Sequence, residues 1–230
     1  MPIYSLSEEL VFPNPHNAEP DGLLAVGGDL SIERLLLAYS HGIFPWFEDD
    51  SPLLWWALDP RMVLKLEDFK IPKSLKSKLN KAKFDIRFDH DFEQVIDQCS
   101  KSVRKGQDGT WILKEMKEAY ISLHKAGFAH SVETYMDNEL VGGLYGVSLG
   151  RVFCGESMFH LRTDASKIAF TFLVEKLRSW DFEMIDAQME TPLLKSFGAK
   201  NIPFADYYEH LQLALDHDTK RGSWEELMTR

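Results

Sequence analysis

The stretch of residues 140–188 constrains the fold of this chain more than any other part of the sequence. Two apolar runs that contain glycine, at 140–149 and 151–159, predict strands, and a polar turn follows them. Apolar spacing then predicts a helix at about 165–180, and residues 184–187 predict a further strand. Because a helical crossover of this length normally returns the chain parallel to the strand where it began, the strands on either side of the helix should be parallel neighbours.

A hairpin signal precedes this stretch. The pair Asp137-Asn138 is typical of a tight turn, and it follows a predicted strand at 129–136. Three antiparallel strands, a crossover helix and a further strand therefore follow one another, which resembles the acetyltransferase-like (GNAT) fold. We expect an α+β protein with a mixed, mainly antiparallel sheet, in which residues 63–230 form a GNAT-like catalytic domain and residues 1–62 form a small N-terminal domain.

The N-terminal residues are rich in Pro, Gly and aromatic side chains, and one helix is predicted among them. Ser31 is suited to cap its start and Gly42 to end it. Trp46, Trp55 and Trp56 lie within eleven residues, where they either pack in a core or line a pocket for an apolar or planar ligand. Elsewhere, apolar spacing predicts strands at 61–66 and 84–88 and helices near 92–99, 112–126, 193–197 and 206–215.

A series of lysines begins near residue 65, and no acidic residue interrupts it between Lys70 and Lys83. In a chain with a formal net charge of −10, such a run predicts a local positive surface that binds phosphates. The alternative is a solvated helix face. The candidates for nucleic-acid contact are Lys70, Lys73, Lys76, Lys78, Lys81 and Lys83.

Several classes of protein are disfavoured. No run of about 18 apolar residues predicts a membrane span, the N-terminus resembles no export signal, and the overall negative charge argues against a general DNA-coating protein. Cys99 and Cys154 form neither a disulfide framework nor a zinc motif, which indicates a reduced, cytoplasmic protein.

The turn at 160–165 lacks the glycines that hold a CoA pyrophosphate, and Asp164 would repel one. We therefore expect no metal, no cofactor, no membrane and no DNA partner.

Two carboxylates stand in otherwise apolar predicted strands, Glu156 and Asp186, and Gln188 follows close to the second. A buried carboxylate is costly unless a partner stabilises it. These residues therefore belong either to structural ion pairs or to a catalytic site formed on two neighbouring strands.

Several ordered segments of the sequence together form a recognisable pattern. They are FPNP (12–15), GLLAVGGDL (22–30), AYSHGIFPWF (38–47), LLWWALDPR (53–61), GTW (109–111), ELVGGLYGV (139–147), FCGESMF (153–159), ASK (165–167) and IDAQ (185–188). In these segments the sequence resembles the leucyl/phenylalanyl-tRNA-protein transferase family along nearly its whole length. That resemblance implies transfer of Leu or Phe, and less efficiently Met, from aminoacyl-tRNA to the α-amino group of proteins that begin with Arg or Lys, which marks them for N-end rule degradation.

The resemblance also implies that Asp186 and Gln188 are the catalytic pair and that Glu156 is a functional acid. On chemical grounds we expect Gln188 to orient the amine and Asp186 to polarise Gln188, and the charge of the lysine series predicts that it holds the tRNA. The sequence departs from the family where relatives commonly have a His near Leu193 and an Arg at Phe204, which affects the expected acceptor or RNA contacts. The implied apolar pocket for the aminoacyl side chain comprises Trp46, Trp111, Leu144, Met158, Phe170, Leu173 and Leu177.

Two other activities remain open on the residues alone. One is transfer from aminoacyl-tRNA to a different amine, such as that of a peptidoglycan precursor. The other is a non-catalytic RNA-binding or adaptor protein, against which the intact IDAQ and FCGESMF segments argue.

Overall fold

The strands of this protein form two sheets in a computed structural model that describes residues 3–49, 51–79, 84–102 and 112–228. The strands are β1 (Tyr4–Leu6), β2 (Leu23–Gly27), β3 (Phe44–Pro45), β4 (Leu54–Trp56), β5 (Arg61–Lys65), β6 (Asp85–Phe88), β7 (Ala129–Met136), β8 (Glu139–Leu149), β9 (Val152–His160), β10 (Met184–Gln188) and β11 (Lys200–Ile202). The helices are α1 (Ile32–Ser40), α2 (Lys73–Leu79), α3 (Phe92–Lys101), α4 (Lys114–Lys125), α5 (Ala165–Ser179), α6 (Pro192–Ser196), α7 (Phe204–Leu215) and α8 (Trp224–Met228). Short 3₁₀ turns lie at Pro15–Asn17 and Leu66–Asp68.

The larger sheet has the order β11-β5-β10-β9-β8-β7-β6. Among its described pairings β9 and β10 run parallel, and the others are antiparallel. Helix α5 makes the crossover between the parallel pair. This confirms the predicted α+β class, the mixed and mainly antiparallel sheet, and the predicted order of three antiparallel strands, a helix and a parallel strand.

The smaller sheet has the order β1-β2-β4-β3. Its strands all precede residue 57, and β5 is the first strand that joins the larger sheet. The division expected after residue 62 falls inside β5, one residue after Arg61. The division into domains stays a prediction.

Apolar side chains cover both faces of the larger sheet. Neighbouring residues alternate between two core clusters, as Val63 and Leu64 do on β5 and Cys154 and Phe153 do on β9. One cluster reaches the smaller sheet and α1, α3, α4 and α7, and the other lies under α2, α5 and α6. A central sheet buried on both sides is the reason that its strands read as near-continuous apolar runs.

Local signals place the turns and helix starts. Asp137 and Asn138 both have positive φ, 53° and 64°, as the predicted two-residue hairpin between β7 and β8 requires. The Ser31 side chain accepts a hydrogen bond from the Arg34 N–H at 3.3 Å and caps α1. A Cβ on Gly146 would lie 2.2 Å from the Cys154 carbonyl oxygen, so only glycine allows β8 and β9 to pair there.

Some element ends differ from the prediction. Helix α6 begins at Pro192 because Thr191 caps it, accepting the Leu194 N–H at 3.2 Å, and proline is favoured at the first helical position. Helix α7 begins at Phe204, directly after Pro203, two residues earlier than predicted. The helix predicted at 112–126 begins two residues too early and ends one residue too late, since α4 is Lys114–Lys125.

The segment after α7 is anchored to the larger sheet by hydrogen bonds to the buried Asp89. Asp89 accepts hydrogen bonds from the Trp224 N–H and the Ser131 N–H, both at 2.8 Å, and it lies 2.8 Å from Nδ1 of His130. The Trp224 indole stacks on the His130 ring at 3.9 Å. Trp224 is fully buried, so the C-terminal helix contributes to the core.

Glu133 lies close to Asp89 and is buried on β7. Its Oε1 accepts hydrogen bonds from Ser131 Oγ at 2.5 Å and from the Asp91 N–H at 3.4 Å. Its Oε2 makes no hydrogen bond with any described residue. Burial raises the pKa of Glu133 from 4.5 to about 7, and nearby Asp89 acts in the same direction.

A raised carboxyl pKa makes stability fall as the pH rises. The folded state binds the Glu133 proton more tightly than the unfolded state does. Protonated Glu133 therefore contributes its full share to the free energy of unfolding below about pH 4.5, and this contribution is lost as the pH rises through 7. We expect Glu133→Gln to be more stable than the wild type above pH 7, by about 3 kcal/mol at most. Its free energy of unfolding should also fall less between pH 5 and 8.

Urea unfolding at several pH values measures this difference. Glu139→Gln, at an exposed position on β8, is the control and should keep the wild-type pH dependence. A Glu133→Gln protein with the wild-type slope would contradict the assignment.

Candidate functional site

A cavity of about 310 Å³ opens where β9 and β10 separate. Their parallel pairing covers Met184–Asp186 on β10 and ends at Cys154 on β9. The residues just beyond this pairing line the cavity, among them Glu156 and Gln188. Strands β3 and β8 and helices α5 and α6 supply the remaining walls, so both sheets and two helices contribute to the site.

Most of the predicted pocket residues line this cavity. They are Trp46, Leu144, Met158, Phe170 and Leu173. Leu177 was predicted with them, but it has no exposed surface and lies in the core under the sheet, one helical turn beyond Leu173. Trp111 lies outside the described residues.

Further apolar residues of the cavity were not predicted. They are Phe44, Pro45, Phe153, Ile185, Ala187, Met189, Leu193 and Leu194. Most of them lie within a quoted motif or next to one, but alternation along a strand could not show which side chains face a cavity rather than the core. Leu193 and Leu194 lie outside the quoted motifs. The walls are mainly apolar, so the cavity suits an apolar group.

Gln188 is held in an unusual backbone conformation at the cavity wall. Its φ is 54°, the left-handed region, and the pairing of β10 with β5 shifts register between Asp186 and Gln188. This bulge allows Ala187 and Gln188, which are consecutive, both to line the cavity. The Gln188 side-chain nitrogen is buried and makes no hydrogen bond with the described residues, so it is available to a ligand.

Asp186 lies behind this wall and does not line the cavity. It is completely buried, and its carboxylate accepts two hydrogen bonds from Arg61, from Nε at 2.8 Å and from Nη2 at 2.7 Å. The Tyr207 hydroxyl donates another at 2.8 Å, and the Gln188 N–H donates a fourth at 3.0 Å. Asp186 therefore contacts Gln188 through the backbone, whereas we expected it to polarise the Gln188 side chain.

Arg61 and Tyr207 are site residues that sequence reasoning missed. Arg61 ends the quoted LLWWALDPR segment, but its partner is 125 residues away in sequence. The Arg61 pKa is raised by the Asp186 carboxylate against the opposing effect of burial, so the guanidinium stays charged. Tyr207 comes from α7, and nothing in the spacing of that helix distinguishes it from a core tyrosine.

Glu156 faces the cavity and is held by two tyrosines. The Tyr39 hydroxyl donates to its Oε1 at 2.7 Å, and the Tyr120 hydroxyl donates to its Oε2 at 2.9 Å, while the two hydroxyls also contact each other. Burial raises the Glu156 pKa from 4.5 to about 7, more than the hydrogen bonds of Tyr39 and Tyr120 lower it. Near neutral pH this carboxyl group can therefore accept or donate a proton.

The lysine series forms an exposed cationic face. Leu75 is buried and anchors α2, and the side chains of Lys70, Lys73, Lys76 and Lys78 are exposed. Lys81 and Lys83 lie outside the described residues.

Asp164 is ion-paired at the start of α5. Its carboxylate contacts Lys78 Nζ at 2.5 Å and Lys167 Nζ at 2.7 Å, and these two lysines lower its pKa. The expected repulsion of a pyrophosphate by Asp164 is therefore largely neutralised. The absence of glycine from this turn remains the argument against CoA.

Among the described residues, no helix is long and apolar enough to cross a bilayer.

The backbone strain at Gln188 can be measured. A non-glycine residue in the left-handed region costs roughly 1 to 2 kcal/mol, and glycine avoids this cost. We expect Gln188→Gly to be more stable than Gln188→Ala by about 1 kcal/mol, because both remove the side chain and only glycine relieves the strain. Urea unfolding of the two variants decides this, and equal stability would show that the conformation costs nothing.

Comparisons with known proteins match this chain to one family. The family model described as leucyl/phenylalanyl-tRNA protein transferase matches residues 63–212, and the model of the corresponding N-terminal domain matches residues 28–59. Among solved structures, L-PGS from Bacillus licheniformis is similar to this chain with a TM-score of 0.41 and 11% identity, over 87% of this chain and 66% of that chain.

Relatives with the same name match nearly the whole chain. Leucyl/phenylalanyl-tRNA--protein transferases from Maridesulfovibrio salexigens and from an Anaeromyxobacter species are each 52% identical over 98% of this chain, and over 94% and 96% of their own lengths. The one from Myxococcus xanthus is 50% identical over 98% of this chain and 97% of its own. The chain belongs to the leucyl/phenylalanyl-tRNA-protein transferase family.

Proposed function

We propose that this protein moves Leu or Phe, and less efficiently Met, from aminoacyl-tRNA to the α-amino group of proteins that begin with Arg or Lys. Membership of the family makes the chain an aminoacyltransferase. The observation that carries the finer proposal is the apolar cavity with Gln188 and Glu156 at its edge. The transferred residue would mark its acceptor for N-end rule degradation.

The cavity suits an apolar amino-acid side chain. Full burial of a Leu or Phe side chain contributes about 1.5 to 3 kcal/mol, and one methylene changes discrimination by roughly 1 to 3 kcal/mol. The walls formed by Trp46, Leu144, Phe170 and Leu173 contain no charged group. Long or γ-branched apolar side chains should therefore be accepted, and charged ones excluded.

The reaction needs orientation more than a strong base. An aminoacyl ester is already activated, so the amide can form without ATP, a metal or a cofactor. The acceptor α-amine has a pKa of about 8, so roughly a tenth is neutral in the cytoplasm. We assign Gln188 to orient this amine by a hydrogen bond, with its backbone held by Asp186. Glu156 then attracts the basic first residue of the acceptor or accepts the released proton.

The exposed lysines would hold the tRNA. In a chain of net charge −10, the face formed by Lys70, Lys73, Lys76 and Lys78 is suited to contact phosphates, while the negative charge elsewhere favours a cationic acceptor. We extend this role to Lys81 and Lys83 on sequence alone. Trp111 is proposed as a further pocket residue on the same basis, and Leu177 as a support behind the pocket wall.

We also propose that residues 63–230 act as the catalytic domain, that residues 1–62 act as a small N-terminal domain, and that the reaction takes place in the cytoplasm. The position of Trp46 in the cavity supports a contribution of the N-terminal part to substrate binding. Cys99 and Cys154 are buried and form no disulfide with each other, as is usual in a reducing compartment.

A transfer assay tests the proposed function directly. We expect purified protein to move labelled Phe or Leu from charged tRNA to a peptide that begins with Arg. The same peptide with an acetylated N-terminus is the control and should remain unlabelled. Labelling of a peptidoglycan precursor but not of the Arg peptide would contradict the proposed acceptor, and no transfer to any amine would contradict the function.

The lysine face can be tested by salt dependence. Replacing Lys73, Lys76 and Lys78 with Gln should weaken aminoacyl-tRNA binding and reduce the slope of log K against log salt by roughly 0.7 to 0.9 for each phosphate that the variant no longer neutralises. The matched control replaces three other exposed lysines, Lys101, Lys114 and Lys125, which lie in α3 and α4. An unchanged slope in the first variant would show that this face is only solvated.

A further inference from the structure

We propose that Arg61 is a positioning residue for aminoacyl transfer, because one guanidinium group holds two walls of the cavity in fixed relation. The inference rests on the proposed function of the cavity as the aminoacyl site. Arg61, together with Tyr207, fixes the position of Gln188, and Asp186 acts through Gln188.

The first wall is held by ring stacking. The Arg61 side chain is completely buried, and its guanidinium carbon lies 4.8 Å from the centre of the Phe44 ring and 4.8 Å from the centre of the Tyr207 ring. Phe44 belongs to β3 of the smaller sheet and lines the cavity. The position of Arg61 therefore restricts a cavity wall supplied by the N-terminal part of the chain.

The second wall is held by hydrogen bonds. Nε and Nη2 of Arg61 bind the two oxygens of Asp186 at 2.8 and 2.7 Å, and Oδ1 of Asp186 accepts the Gln188 N–H at 3.0 Å. Gln188 is the residue in the left-handed conformation, so its backbone needs a specific restraint. Arg61 thus reaches Gln188 through a single intervening carboxylate.

Asp186 is unsuited to accept a proton from the amine. A carboxylate offers about four acceptor positions, and two hydrogen bonds from Arg61, one from Tyr207 and one from the Gln188 N–H occupy that number. The residue also lies behind the cavity wall, as its absence from the cavity lining shows. Its remaining function is to hold the bulge that presents Gln188.

Stability alone does not explain this arrangement. A buried ion pair loses hydration on both charges, and apolar residues of similar size often stabilise a protein as well or better. Arginine is required by geometry, since its planar group can bind a carboxylate with two nitrogens while rings stack on its faces, and lysine can do neither. The network therefore fits a role in positioning.

The test compares Arg61→Lys with Arg34→Lys. Arg34 is also completely buried, and it binds Asp29 at 3.1 Å and the Ser7 carbonyl oxygen at 2.9 Å, away from the cavity lining.

Melting temperatures are measured first, and kcat and KM for Phe-tRNA transfer to an Arg peptide are then measured at a temperature well below them. We expect kcat of Arg61→Lys to fall about tenfold or more. Its KM for Phe-tRNA should change less than its kcat, since the Phe44 wall depends on Arg61 but the proposed lysine contacts with the tRNA do not. The kcat of Arg34→Lys should stay at the wild-type value.

Tyr207→Phe is the second variant, in case Arg61→Lys does not fold. It removes one hydrogen bond from Asp186 and leaves the ring that stacks on Arg61. We expect kcat to fall a few-fold, again without a matching change in KM for Phe-tRNA.

The outcomes separate this inference from the proposed function. An Arg61→Lys or Tyr207→Phe protein that is folded and keeps the wild-type kcat would overturn the positioning role. The role would also be overturned if the fall in kcat only matched the fall in the fraction of folded protein. A wild-type protein that transfers nothing would instead overturn the proposed function.

Discussion

The buried ion pair between Arg61 and Asp186 is the interaction on which the site depends. Neither side chain has any exposed surface, so each charge requires the other. The pair joins β5 to β10, the strand that ends at the cavity. Tyr207 adds a hydrogen bond from α7, and Phe44 adds a ring from the smaller sheet. Elements from four parts of the chain therefore meet at one guanidinium group.

Two carboxylates close to the cavity have opposite surroundings. Asp186 has a cation as its partner, whereas Glu156 accepts hydrogen bonds from two tyrosine hydroxyls, and burial raises the Glu156 pKa to about 7. One group holds the backbone, while the other can change its protonation state near neutral pH. This difference arises from packing, because both residues occupy similar apolar strands in the sequence.

Much of the fold could be predicted because its signals are local. The Asp137-Asn138 turn, the helix cap at Ser31 and the length of the crossover each specify an arrangement within a few residues. The prediction was less accurate where residues far apart decide the outcome. Leu177 has the same apolar character as Leu173, and only the packing of α5 shows that it lies in the core. Likewise, the charge of Asp164 is balanced by Lys78, 86 residues away.

The sequence by itself determined the α+β class, the order of strands and helices, the family and the residues Glu156, Asp186 and Gln188 as candidates, because these follow from local periodicity and from motifs read along the chain. Only the tertiary structure decided which of these residues face the cavity, that Arg61 and Tyr207 hold Asp186, and that Tyr39 and Tyr120 hold Glu156. The physical reason is that hydrogen bonding and burial depend on distances between atoms, and residues far apart in the sequence become neighbours only when the sheets pack.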